Sequence, residues 1–184
     1  SQFNAMKKIV SAMLLFAAII TTAVLASCGD DNDEPAKESL TGNYMGNDAL
    51  GIAFAGNDYS ATAGGVKYAI SENKDGSLNI TFPEENFDFT GQKAPFNQIM
   101  QGSYVVKNIP FNAAKNAYYL DYGGTVRVDV TLNGKQGNYE ITSGELSVTF
   151  DGSNVKLVNA YKYKGMPPAL TMTSTFNGVK VLNK

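Results

Sequence analysis

Between Thr125 and Leu132 the chain alternates strictly, with Val126, Val128, Val130 and Leu132 on one side and Arg127, Asp129 and Thr131 on the other. A period of two is the mark of a β-strand with one face buried and one face wet, and it is incompatible with a helical period of 3.6. The same alternation returns in Leu78/Ile80/Phe82, in Leu146/Val148/Phe150 and in Leu170/Met172 with Phe176. Turn chemistry punctuates these runs. Asp75-Gly76, Asp151-Gly152 and Asn177-Gly178 each read as a tight hairpin, with Asn177-Gly178 the best of them, and Asn133-Gly134 followed by Gly137 reads as a longer loop. With weaker runs at 42–46, 51–54, 103–109 and 117–122, about ten strands are expected. Hairpin connections between neighbours predict an all-β antiparallel meander that closes into a barrel to hide its edges.

One stretch departs from that texture. Pro83 to Gly102 holds two prolines, Pro83 and Pro95, and irregularly spaced apolar residues. It predicts one short helix or loop near a barrel end, the helix running over Ala94–Met100. Such a segment is either a lid over the mouth or a plug in it. The plug is favoured, because Phe87, Phe89, Phe96, Ile99 and Met100 need a dry place.

The residue inventory narrows the chemistry. There is no histidine, which removes the usual general base near neutral pH and the Ser-His-Asp and Cys-His arrangements with it. Histidine-ligated metal sites go for the same reason. A net charge of −2 with Arg127 as the sole arginine argues against nucleic-acid binding, which wants clustered basic residues. A single cysteine allows no disulfide within the chain, so stability must come from apolar packing. No cofactor is implied.

The N-terminus sets an address. Residues 1–5 read as an expression remnant; Met6-Lys7-Lys8 and the apolar run Ile9–Leu25 read as a secretory signal peptide, 6–27. Leu25-Ala26-Ser27-Cys28 resembles the lipobox of bacterial lipoproteins. The resemblance implies cleavage before Cys28 and lipid on its thiol, and hence a membrane partner. Residues 28–39 then form a lipidated cysteine and an acidic, flexible tether, Gly29-Asp30-Asp31-Asn32-Asp33-Glu34-Pro35. That run resembles the export signal of surface lipoproteins in Bacteroidetes, which implies the outer membrane facing the cell exterior. As a plain tether it would leave the periplasmic face open. The barrel domain is expected over 40–184.

With that leader, the segments Tyr104–Tyr119 and Lys164–Phe176 are similar to stretches of the calycin-like lipoprotein family of gut Bacteroidetes. The resemblance implies a small calycin- or lipocalin-like barrel with one end more open, and no settled activity. It departs from the lipocalins in lacking tryptophan; Gly42-Asn43-Tyr44 stands where they have Gly-x-Trp.

Tyrosine offers a flat apolar face and a hydroxyl. The candidate ligand-contacting residues are therefore Tyr118, Tyr119 and Tyr122 in one strand and Tyr161 and Tyr163 in another. Spacing by two puts the last pair on one face. The competing reading has all five lining or rimming a filled barrel. The carboxylates Asp121, Asp129, Glu140 and Glu145 were weighed for histidine-free hydrolysis, which needs two carboxyls facing across a cleft. The sequence is read as a non-enzymatic, membrane-anchored lipoprotein. Its barrel would bind a small apolar molecule or serve glycan capture. The alternatives are an interaction module for an envelope protein, with a filled barrel, and, behind it, a carboxylate hydrolase.

Overall fold

The computed structural model describes residues 38–182. The signal peptide, Cys28 and the acidic tether lie outside the described residues. A compact unit spans Ser39–Lys184. Its described part is all β, with no helix.

The strands in order are β1 (Gly42–Phe54), β2 (Asn57–Glu72), β3 (Leu78–Phe82), β4 (Glu85–Asp88), β5 (Gln98–Gln101) and β6 (Tyr104–Ile109). They continue with β7 (Phe111–Asn112), β8 (Ala117–Asp121), β9 (Arg127–Leu132), β10 (Lys135–Asp151), β11 (Asn154–Tyr163) and β12 (Thr171–Lys180). All pair antiparallel, in the spatial order β4-β5-β9-β10-β11-β12-β1-β2-β3-β6. The sheet curls into a β-barrel-like fold. Two devices draw its edges together. At one end β6 runs through Pro110 into β7, which pairs β8, which pairs β10. At the other, the Gln92 side chain stands in for a strand neighbour: its amide nitrogen donates to the Ser60 carbonyl at 2.6 Å and its oxygen accepts from the Ser60 amide at 3.1 Å. An edge whose backbone groups are paired no longer offers a template for another chain.

The turns follow local chemistry. Ala55-Gly56 and Asn133-Gly134 both take positive φ at two successive residues (51° and 77°; 49° and 82°). That geometry matches strand twist in two-residue hairpins. The Asn133 loop is accordingly shorter than expected, since β10 begins at Lys135. Gly76 and Gly152 lie where the other hairpins were read.

Three local expectations are corrected. Asn177-Gly178 is no turn: β12 runs straight through it. Gly178 serves packing instead, because a Cβ there would collide with the Phe176 ring and press on the Met45 carbonyl oxygen. The runs at 42–46 and 51–54 are one strand with a bulge between Gly46 and Asp48, and β10 joins two expected strands through a bulge between Ile141 and Ser143. A bulge shifts the alternation by one residue, so one strand reads as two. Finally, Ala94–Met100 is not helical; it is a turn leading into β5, with Phe96 and Ile99 buried and Met100 exposed on the outer face. Pairing with β4 and β9 outcompetes a single helical turn that would have little to pack on.

Inward side chains fill the curl. Phe82 stacks on Tyr104 at 4.3 Å between ring centroids, and Phe176 stacks on Tyr68 at 4.1 Å. Near the 89–97 loop, Phe96 meets Phe89 and Tyr59 edge-on at 4.9 and 5.5 Å. Offset and edge-on pairs of this kind are favoured by the ring quadrupole. Of the residues expected in a plug, Phe87, Phe89, Phe96 and Ile99 are buried but as strand and turn residues, Met100 is exposed, and Phe96 and Ile99 line an open pocket at this end.

Candidate functional site

Two features stand out inside the fold: a polar layer sealed within the core, and an apolar pocket above it at one end.

The polar layer grows from strand parity. Asp48 shares its inward face with Leu50 and Ile52, Glu85 with Phe87 and Phe89, and Gln101 with Ile99. Asp48 is 0% and Glu85 3% exposed. Tyr68 donates its hydroxyl to Asp48 Oδ2 and also lies 3.4 Å from Glu85 Oε1. Burial pushes the Glu85 carboxyl up to about 10, and hydrogen bonding and repulsion from Asp48 add to the rise. Glu85 is therefore a neutral acid at ordinary pH, beside Asp48, whose buried Oδ1 has no hydrogen-bond partner.

Next to this pair, Tyr161 donates to Gln101 Oε1 at 2.9 Å, and Tyr163 donates to the same oxygen. Tyr122 donates to Asn159 Oδ1 at 2.7 Å, and Asn159 Nδ2 donates to the Tyr104 hydroxyl at 3.1 Å. Burial raises the hydroxyls of Tyr68, Tyr104, Tyr161 and Tyr163 above the usual phenol range, and takes Tyr122 to about 12. Among the described residues no lysine or arginine is buried in this layer. Chemically this layer is a buried hydrogen-bond network of tyrosine hydroxyls and side-chain amides, with Tyr68 donating to Asp48.

The pocket is open at the end where β1 finishes and β12 begins. Its volume is about 490 Å³. Ile52 and Phe54 wall it from β1, Pro95, Phe96 and Ile99 from the β4–β5 loop and β5, and Val130 and Leu132 from β9. Met166, Pro167 and Leu170 cover it from the β11–β12 loop, with Tyr139 and Tyr163 at the side. Lys164 is its one charged wall residue. Among the described residues neither the Lys164 ammonium nor the Tyr139 hydroxyl has a hydrogen-bond or ion-pair partner. Tyr163 joins the two features, since its ring walls the pocket and its hydroxyl enters the polar layer through Gln101.

The five candidate tyrosines do not converge. Tyr161 and Tyr163 do share the inward face, and Tyr163 alone reaches the pocket. Tyr122 is buried, its ring seated where only a glycine fits at 144, because a Cβ there would lie 2.5 Å from Cζ. Tyr118 packs edge-on against Phe111 and Phe150 at 5.3 and 5.9 Å. Tyr119 faces outward, donating to Glu145 Oε1 at 2.5 Å with Lys115 4.4 Å above its ring. Of the weighed carboxylates, Asp121, Asp129 and Glu145 are exposed and Glu140 half-buried. The carboxyls that meet are Asp48 and Glu85, which sequence reading passed over. Their signal was present: both sit at the parity of buried neighbours. Among the described residues no three acidic or thiol groups gather as a metal site would require.

No family model matches the chain, and no curated protein matches it. Among solved structures, its fold is similar to that of a candidate outer membrane protein from Bacteroides fragilis NCTC 9343. The TM-score is 0.51 at 18% identity, over 77% of this chain and 51% of that one. The chain thus spans about half the length of that protein, and the likeness is one of fold.

Proposed function

We propose that this is a non-catalytic, lipid-anchored envelope protein that holds a small amphiphile in the apolar pocket at the open end of its barrel. The pocket itself carries the reading. A concave, mainly apolar space of about 490 Å³ with a few polar groups is the usual form of a small-molecule site. Its two unpartnered donors, Lys164 and Tyr139, favour an apolar body with an anionic or acceptor head. The absence of any carboxylate from its wall disfavours a cationic ligand. The lipobox at Cys28 supports membrane anchoring, and the acidic tether supports the outer face of the outer membrane. A neighbour of similar fold described as an outer membrane protein agrees with an envelope location.

The filled interior favours a second reading, an interaction module whose barrel is only a scaffold. Native mass spectrometry on the protein purified from its own membranes separates the two. A reproducible added mass that is lost in Leu170→Arg supports the pocket. A bare protein that also fails to bind a long-chain carboxylate in solution sinks it.

A further inference from the structure

The end of the barrel opposite the pocket has its own surface character. β1 begins there at Gly42, and Lys180 closes β12 opposite Tyr44, with Lys180 Nζ donating to the Ser39 carbonyl at 2.5 Å. Met45 and Val179 face each other in register on the outside of these two strands. Val181 continues the patch, its amide donating to the Asn43 carbonyl at 2.8 Å. Val179 is 53% and Leu182 78% exposed, and Phe111, reached through β6, adds a 53% exposed ring at the same end. Lysines surround them: Lys67 sits opposite Met45, and Lys74, Lys107, Lys115, Lys156 and Lys180 lie in the strand ends and turns about it. Four carboxylates among the described residues share this end, Glu38, Glu72, Asp75 and Asp151, and the sequence before it carries Asp30, Asp31, Asp33 and Glu34. Apolar side chains ringed by lysine are what an anionic lipid surface takes up, the aliphatic groups at the acyl boundary and the ammonium groups among the headgroups.

Chain continuity points the same way. Cys28 lies eleven residues before Ser39. A chain of eleven residues spans at most about 36–40 Å. A lipid on Cys28 would join the chain to the bilayer nearest this end of the barrel, where Ser39 enters it. Such tethering turns a weak surface contact into an intramolecular one. From Met45 to Phe54, β1 runs about 30 Å, which puts the pocket at the far end.

We propose that the Met45–Val179–Val181–Leu182 patch, with its lysines, docks the barrel end-on onto an anionic lipid bilayer, so that the pocket opens away from the membrane. This rests on the lipid-anchored reading above but not on the pocket's having a ligand.

The chain has no tryptophan, so one introduced residue reports alone. The full acylated protein carrying Val179→Trp, and separately Met100→Trp near the pocket end, is reconstituted in vesicles of phosphatidylcholine and phosphatidylglycerol. Part of the phosphatidylcholine is brominated in its acyl chains. Intact mass reads the acylation of Cys28 independently. If the cysteine is bare, the same thiol, the only one, is coupled to a maleimide phospholipid and docking is measured regardless. The expected result is a loss of about half the emission from Val179→Trp, little from Met100→Trp, and relief of the first on adding Met45→Asp. Unquenched emission from Val179→Trp, in this protein and in Met45→Trp, overturns the proposal, and so does equal quenching at both ends.

Discussion

Asp48 of β1 and Glu85 of β4 meet inside the barrel at the hydroxyl of Tyr68, and burial beside Asp48 holds the Glu85 carboxyl far above the usual carboxylate range. Their strands are not paired with each other, so the contact is a property of the curled sheet. Burial and the Asp48 charge raise Glu85 far above its unfolded value of 4.5. A group raised on folding supports the native state fully below its unfolded pKa. That support drains as pH climbs toward the folded pKa, here between 4.5 and about 10. We expect urea midpoints to fall over this window, with Glu85 contributing a slope of up to about 1.4 kcal/mol per pH unit. Glu85→Gln keeps the donor without the proton and should flatten that slope, becoming more stable than the native protein at pH 9 but not at pH 4. Parallel curves for the two proteins would disprove the raised Glu85 carboxyl.

Tyrosine ionisation gives a second pH test. Tyr68, Tyr104, Tyr161 and Tyr163 are raised chiefly by burial, and Tyr122 to about 12. Absorbance at the phenolate band should therefore rise in two stages: the outer tyrosines first, the buried set only when the barrel unfolds. Because these folded pKa values lie above the unfolded one, stability is lost as pH passes 10 and beyond. A single smooth titration of all ten tyrosines in the folded protein would contradict the burial.

Gly46 and Gly178 face each other across β1 and β12. A Cβ on Gly46 would fall on the Asn177 carbonyl, which is backbone and cannot swing aside. Gly46→Ala should cost about 2–3 kcal/mol, read as a lower urea midpoint at unchanged slope. Gly56→Ala, where a Cβ meets open space but φ is 77°, should cost less, about 1 kcal/mol, through backbone strain alone. The reverse order would show that the β1–β12 approach is looser than described.

For the pocket, Leu170→Arg should weaken a bound long-chain carboxylate by about tenfold or more, through lost apolar area and a buried charge. Lys164→Gln should leave the matching long-chain alcohol unaffected while lowering carboxylate affinity about three- to tenfold. Equal losses for both ligands, measured by fluorescent-probe displacement, would assign Lys164 no part in recognising the head.

Strand identity was legible from the chain because alternation and hairpin residues act between near neighbours: Val126 to Leu132 and Asn133-Gly134 need no distant partner. The buried polar residues Asp48, Glu85 and Gln101 share the parity of Leu50, Phe87 and Ile99, but in 83–102 that parity shows only once β4 and β5 are paired. Where a bulge shifts parity, as between Gly46 and Asp48, local reading split one strand into two. Asn177-Gly178 misled it for a different reason, since a glycine demanded by a ring and a facing carbonyl looks like a glycine demanded by a turn. The site itself belongs to the tertiary structure. Ile52, Ile99, Val130 and Leu170 wall one pocket from strands and loops spread along the whole barrel domain, and no spacing within any one segment encodes that meeting. Periodicity sets which face of a strand is dry. Only the order and register of pairing decide which dry faces look at one another, and those are fixed by packing the whole core at once.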